Sequence, residues 1–150
     1  MLANREAPLP EAPMEASSHG LHVLVVEDNE ADAHLIEYAL RQQGEAVGVI
    51  EMARDGIEAL EKLDASLVAP DIAFIDLQMP RMDGFKLLIE MACRGHTGFP
   101  VVVLTSSTAK NDIVRSLFRG ANKVISKPHS RQELERAIAA TVSKVPAGLG

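Results

Sequence analysis

Five residues in this chain have the chemistry to handle a phosphoryl group and a hard cation: Glu27, Asp28, Asp76, Thr105 and Lys127. Each stands where an apolar run gives out. "LHVLVV" leads into Glu27-Asp28, "DIAFI" into Asp76, "FPVVVL" into Thr105-Ser106, and "NKVIS" into Lys127-Pro128. Carboxylates that cluster raise each other's pKa unless a cation lies among them. A site with few ligands, all oxygen, and room for water suits Mg2+ better than zinc. Asp28 and Asp76 would bind such an ion directly, a main-chain carbonyl and waters would complete the octahedron, and Glu27 would act through water. Lys127 and the Thr105 hydroxyl would hold phosphoryl oxygens, and Asp76 could attack phosphorus to give an acyl phosphate. Each residue also has a plainer reading. Asp28 stands before a helix and can cap it. Asp76 stands before Met79-Pro80 and can be a turn residue. Lys127-Pro128 can be an ordinary helix approach.

The elements that would bring these residues together follow from hydrophobic period. Apolar runs at Leu21–Val26, Ala46–Ala53, Asp71–Ile75, Phe99–Leu104 and Asn122–Ser126 read as strands. Between and after them lie helical patterns. The first starts at an Asn29 cap and ends before Gly44. The second is Asp55–Leu63, with Ile57, Leu60 and Leu63 on one face. The third is Gly84–Gly95, with Leu87, Leu88, Met91 and Ala92 inward. The fourth is Ala109–Gly120, with Ile113, Val114 and Leu117 inward. The last is Ser130–Val145, opened by Ser130 and Glu133 at capping-box spacing. Strict alternation predicts an α/β fold: a five-stranded parallel sheet with right-handed crossovers and helices on both faces. Such a sheet binds ligands at the carboxyl ends of its strands, which is where the five residues stand.

Composition narrows the function. The 150 residues suit one domain, and with 47% hydrophobic and 3% aromatic residues its core must be aliphatic. A net charge of −6 without a basic run argues against a nucleic-acid surface. The single cysteine, Cys93, rules out an internal disulfide and a multi-cysteine zinc site, and its helical setting predicts a buried or half-buried small hydrophobe. No apolar stretch is long enough to span a bilayer, and the start lacks the pattern of a secretion signal, so a cytoplasmic setting is expected. Residues 1–20, rich in Pro, Glu, Ala and Ser, read as a flexible N-terminal tail. Residues 21–145 read as the domain, and 146–150 as a short C-terminal tail.

Taken in order, "VLVVEDN", "FIDLQMPRMDG", "PVVVLTSS" and "GANKVISKP" resemble the receiver domain of bacterial two-component response regulators, in the single-domain form of the chemotaxis regulator. The resemblance covers residues 21–145. It implies a flavodoxin-like sheet of strand order 2-1-3-4-5, with Asp76 as phospho-acceptor and Glu27 and Asp28 as the acidic pair. It makes Asp28 a direct ligand of Mg2+ (or Mn2+), with the Gln78 carbonyl as a further ligand. Thr105 becomes the switch hydroxyl and Lys127 the phosphoryl's salt-bridge partner. It also implies a cis Lys127–Pro128 bond, and places Gln78 and Ser107 where they tune hydrolysis. One departure is Val124, where the family often has an aromatic residue that rotates inward on activation.

The function implied is a phosphoprotein of phosphorelay signalling. A sensor histidine kinase or histidine phosphotransfer protein would donate the phosphoryl group. No DNA-binding or enzymatic output domain is expected after Val145, so output would be contact with a downstream protein, onward phosphotransfer, or dimerisation. The readout surface would be the fourth helix, fifth strand and fifth helix, decorated by Arg115, Arg119, Lys123 and Arg136. The chain would not be an enzyme, beyond assisting its own phosphorylation and dephosphorylation. Two alternatives remain at this stage. One is a phosphorylation-independent adaptor of the same fold. The other is a Mg2+-dependent aspartyl-phosphate phosphatase, which would want a second acid where Gln78 stands.

Overall fold

A computed structural model of the protein describes residues 20–106 and 110–145. The expectations for residues 1–19, for Ser107 and for residues 146–150 lie outside the described residues. Five strands alternate with five helices: β1 (Leu21–Val26), α1 (Glu30–Arg41), β2 (Val47–Ala53), α2 (Gly56–Ala65), β3 (Ile72–Asp76), α3 (Gly84–Cys93), β4 (Val101–Thr105), α4 (Lys110–Phe118), β5 (Lys123–Ser126) and α5 (Arg131–Val142). A 3-10 turn over Gly44–Ala46 leads into β2, so that strand starts one residue later than the apolar run predicts. The sheet runs β2-β1-β3-β4-β5, and every neighbouring pair is parallel, which is the expected order.

Side chains alternate across a strand, so two separate cores form, one on each face. Leu24, Val26, Ala73, Ile75 and Val103 pack with Leu60 and Leu63 of α2 and Leu87, Leu88 and Met91 of α3. Val23, Val25, Ile72, Phe74, Val102 and Leu104 pack with Ile36 and Leu40 of α1 and Leu134, Ile138 and Val142 of α5. All five residues of β3 and of β4 are buried, as strands covered on both faces must be. β2 and β5 lie at the edges and are only partly buried.

Local chemistry fixes the helix starts. Asn29, Asp55, Asp83 and Ser130 each accept a hydrogen bond from the main-chain N–H three residues on. The Ser130 hydroxyl also donates to Glu133 Oε1 at 3.2 Å, so the predicted serine cap forms, with the glutamate meeting the serine side chain.

Three expectations are corrected. Cys93 and Ala92 lie exposed near the end of α3, because Leu87, Leu88 and Met91 already fill its inward face. Val114 and Leu117 of α4 point outward, while Ser116 is the buried residue of that helix. The Ser116 hydroxyl donates to the Asp112 carbonyl at 2.7 Å, which lets a polar residue take the inward position. On the same helix the Arg115 guanidinium lies 3.9 Å from the centre of the Phe85 ring, across to α3. The Lys127–Pro128 bond is trans, since no peptide bond among the described residues is cis.

Candidate functional site

The strand register brings the predicted residues to one rim. β1 pairs with β3, so Val26 stands beside Ile75 and the residues that follow them emerge together. The Glu27 N–H bonds the Ala53 carbonyl at 2.9 Å, which extends the sheet one residue and buries the Glu27 side chain. Asp28, past the last sheet bond, is exposed. Asp76 is the final residue of β3 and is 6% exposed. Carboxylate oxygens of Glu27, Asp28 and Asp76 lie within 4.8 Å of one another.

Thr105 ends β4 beside Ser126, and its carbonyl accepts from the Lys127 N–H at 2.7 Å. This bond fixes the root of the Lys127 side chain. The ammonium then reaches back over the acids, with Nζ 2.8 Å from Glu27 Oε1, 2.9 Å from Asp32 Oδ2 and 3.7 Å from Asp76 Oδ1. Glu27 Oε1 is buried, with the Lys127 ammonium beside it. Glu27 Oε2 accepts from the Asn29 N–H at 3.3 Å.

Burial pushes the Glu27 carboxyl up to about 7. Lys127 pulls against that shift, and the Asp76 charge adds to it. Burial also raises Asp76, opposed by Lys127, by Glu27 and by a bond from the Gln78 main chain. Burial alone would lower the Lys127 ammonium, but Glu27, Asp32 and Asp76 together hold it above its ordinary value. The site is thus short of positive charge. Three carboxylates share one ammonium. A hard divalent cation fits that deficit and that all-oxygen donor set.

The loop after Asp76 is bolted down. The Gly84 N–H bonds the Leu77 carbonyl at 2.8 Å, closing the turn into α3. Arg81 adopts a left-handed backbone (φ 64°), and its Nε meets Asp55 Oδ2 at 2.7 Å. Gln78 lies exposed at the mouth, with its main chain toward Asp76. Sequence reasoning missed two partners here, Asp55-Arg81 and Asp32. Asp32 had a signal: it lies four residues after Asp28, one turn into α1, which returns it to the same side of the helix start.

The sequence pattern of the response regulator receiver domain matches residues 23–139. The chain belongs to that family. This receiver is 35% identical over 124 residues to the transcriptional regulatory protein TctD of Salmonella typhimurium, an alignment covering 83% of this chain and 53% of TctD. It therefore spans about half the length of that relative. Among solved structures, the phosphorylated cyanobacterial phytochrome response regulator RcpA superposes with a TM-score of 0.74 at 30% identity, covering 81% of this chain and 91% of RcpA. The Mn2+-bound form of another response regulator gives 0.72 at 25% identity, covering 82% and 93%. Receivers are signalling domains of two-component systems, and phosphorylation and Mg2+ are typical of them. Among the described residues no helix is long and apolar enough to cross a membrane.

Proposed function

We propose that this receiver accepts a phosphoryl group on Asp76 from a histidine kinase or a histidine phosphotransfer protein, and signals through protein contact or phosphorelay. The observation that carries the reading is the setting of Asp76: at the end of β3, nearly buried, grouped with Glu27 and Asp28, and 3.7 Å from the Lys127 ammonium. An Asp76 carboxylate oxygen attacks the phosphorus. The phosphorus–nitrogen bond of the donor phosphohistidine breaks, and the imidazole nitrogen keeps the electron pair and takes up a proton. Lys127 and Thr105 hold the transferred oxygens, and Lys127 offsets the charge spread over them.

Asp28, Asp76 and the Gln78 carbonyl would hold Mg2+, with Mn2+ as a substitute, and Glu27 would act through water. The cation supplies charge neutralisation at the phosphoryl oxygens. The clustered Glu27, Asp28 and Asp76 carboxylates and the Mn2+ form of a related regulator both support a metal here. Gln78, exposed at the mouth of the site, tunes the hydrolysis of the phosphoryl group. Residues 21–145 form the receiver, and the protein works in the cytoplasm. Output runs through α4, β5 and α5 to a downstream protein or a second copy. No DNA contact is assigned to this domain.

Labelling with acetyl phosphate tests the assignment. Wild type takes up phosphate only when Mg2+ is present, and Asp76→Asn takes up none. Equal labelling of Asp76→Asn and wild type overturns it.

A further inference from the structure

Lys127 is shared unequally. It lies 2.8 Å from Glu27 and hydrogen-bonds Asp32 at 2.9 Å, across 95 residues of sequence. Asp76, at 3.7 Å, is the most distant of the three acids. Asp32 also passes over a local alternative. It is the third residue of α1, where a side-chain acid can reach back to the N-cap main-chain N–H, but here Glu27 Oε2 takes that N–H. Here Asn29 does the capping, accepting from the Asp32 N–H at 2.9 Å, and the Asp32 carboxylate is spent on Lys127 instead.

We propose that Asp32 is a positioning residue that latches the Lys127 ammonium in the unphosphorylated receiver and competes for it with the phosphoryl group on Asp76. This rests on the assignment of Asp76 as the acceptor. A phosphoryl group brings nearly two negative charges to the site. Lys127 answers them fully only if it turns from Asp32 toward Asp76. Asp32 can give it up at small cost, because its side chain is 39% exposed and water solvates the released carboxylate. The released carboxylate still faces the phosphoryl group across Lys127 and repels it. Asp32 therefore weakens the phosphorylated state twice, by holding the lysine and by opposing the anion. It sets how strong a donor must be to throw the switch.

The test is beryllofluoride binding, a stable phosphoryl mimic, at saturating Mg2+ in the full chain. Asp32→Asn keeps the shape and removes the charge, and Asp32→Ser is a second neutral variant. Both should bind about fivefold tighter than wild type, the scale of one exposed ion pair. The difference should shrink in high salt, which a purely structural role would not produce. Thermal melts establish that both variants are folded. Equal or weaker binding by the variants, with wild type binding and Asp76→Asn not binding, overturns the latch and leaves the acceptor assignment standing. Wild-type protein that does not bind beryllofluoride, or Asp76→Asn that binds as well as wild type, overturns the acceptor assignment itself.

Discussion

Glu27 is 3% exposed, and the Asp76 carboxylate lies beside it. A carboxyl in that setting prefers its proton, and its pKa rises to about 7 from an ordinary value of 4.5. The consequence for stability has a definite sign. Between those two pH values the folded chain holds a proton that the unfolded chain has lost. Metal-free protein is therefore most stable at the acid end of that window and loses stability as pH rises through it, by about 3 kcal/mol at most. Glu27→Gln removes the titration, so the variant should gain on wild type as pH rises. Urea midpoints of both proteins in chelator, at pH 5 and pH 7.5, make the comparison. Saturating Mg2+ should recover much of the wild-type loss, because a cation stabilises the charged carboxylates. Parallel behaviour of wild type and Glu27→Gln would show that Glu27 is not the group responsible.

The β3–α3 connection shows how an element holds the geometry of one residue. A methyl group added at Gly84 would stand 2.5 Å from the Asp76 carbonyl oxygen and 2.8 Å from Leu77 Cα, both of them backbone atoms that cannot swing aside. α3 therefore starts directly beneath Asp76 only because residue 84 has no side chain. Gly84→Ala must push the Asp76 backbone, so it should cost about 1–3 kcal/mol in denaturant unfolding and slow Mg2+-dependent labelling at Asp76. Labelling at the wild-type rate would mean that the acceptor tolerates displacement of its backbone. Much at this scale was legible in the sequence. Strand ends, caps and alternation follow from period and from capping chemistry, and they placed Glu27, Asp28, Asp76, Thr105 and Lys127 on one rim. The rotation of α4 was not legible. An apolar stripe at helical spacing predicts a buried face only if the helix docks by that stripe, and α4 instead turns Ser116 inward and leaves Val114 and Leu117 outside. Nor could the Arg81–Asp55 pair be read, because nothing local to either residue names a partner 26 positions away.

Across the whole molecule the burial is lopsided. α1, α2, α3 and α5 each bury an apolar face in one of the two cores, whereas Val114, Leu117 and Phe118 of α4 are 62%, 46% and 89% exposed. Arg119 and Lys123 lie exposed near them, so this side of the sheet offers apolar side chains within a basic surround. α4 also follows the strand that ends in Thr105, and β5 leads into Lys127, so both elements are rooted at the phosphoryl site. A shift at Thr105 and Lys127 on phosphorylation would alter α4 and β5 before the rest of the fold, and only differential contacts in the two states can bias that equilibrium. Phe118→Ser separates docking from folding. With so little of Phe118 buried, unfolding free energy should move by no more than about 0.5 kcal/mol. Acetyl phosphate labelling of Asp76 should be unchanged, because Phe118 lies at the end of α4 away from the acceptor. Capture of a downstream protein by the beryllofluoride-loaded form should fall several-fold against wild type. If capture is unaffected while both loaded proteins still bind their partner, the output surface lies elsewhere than α4.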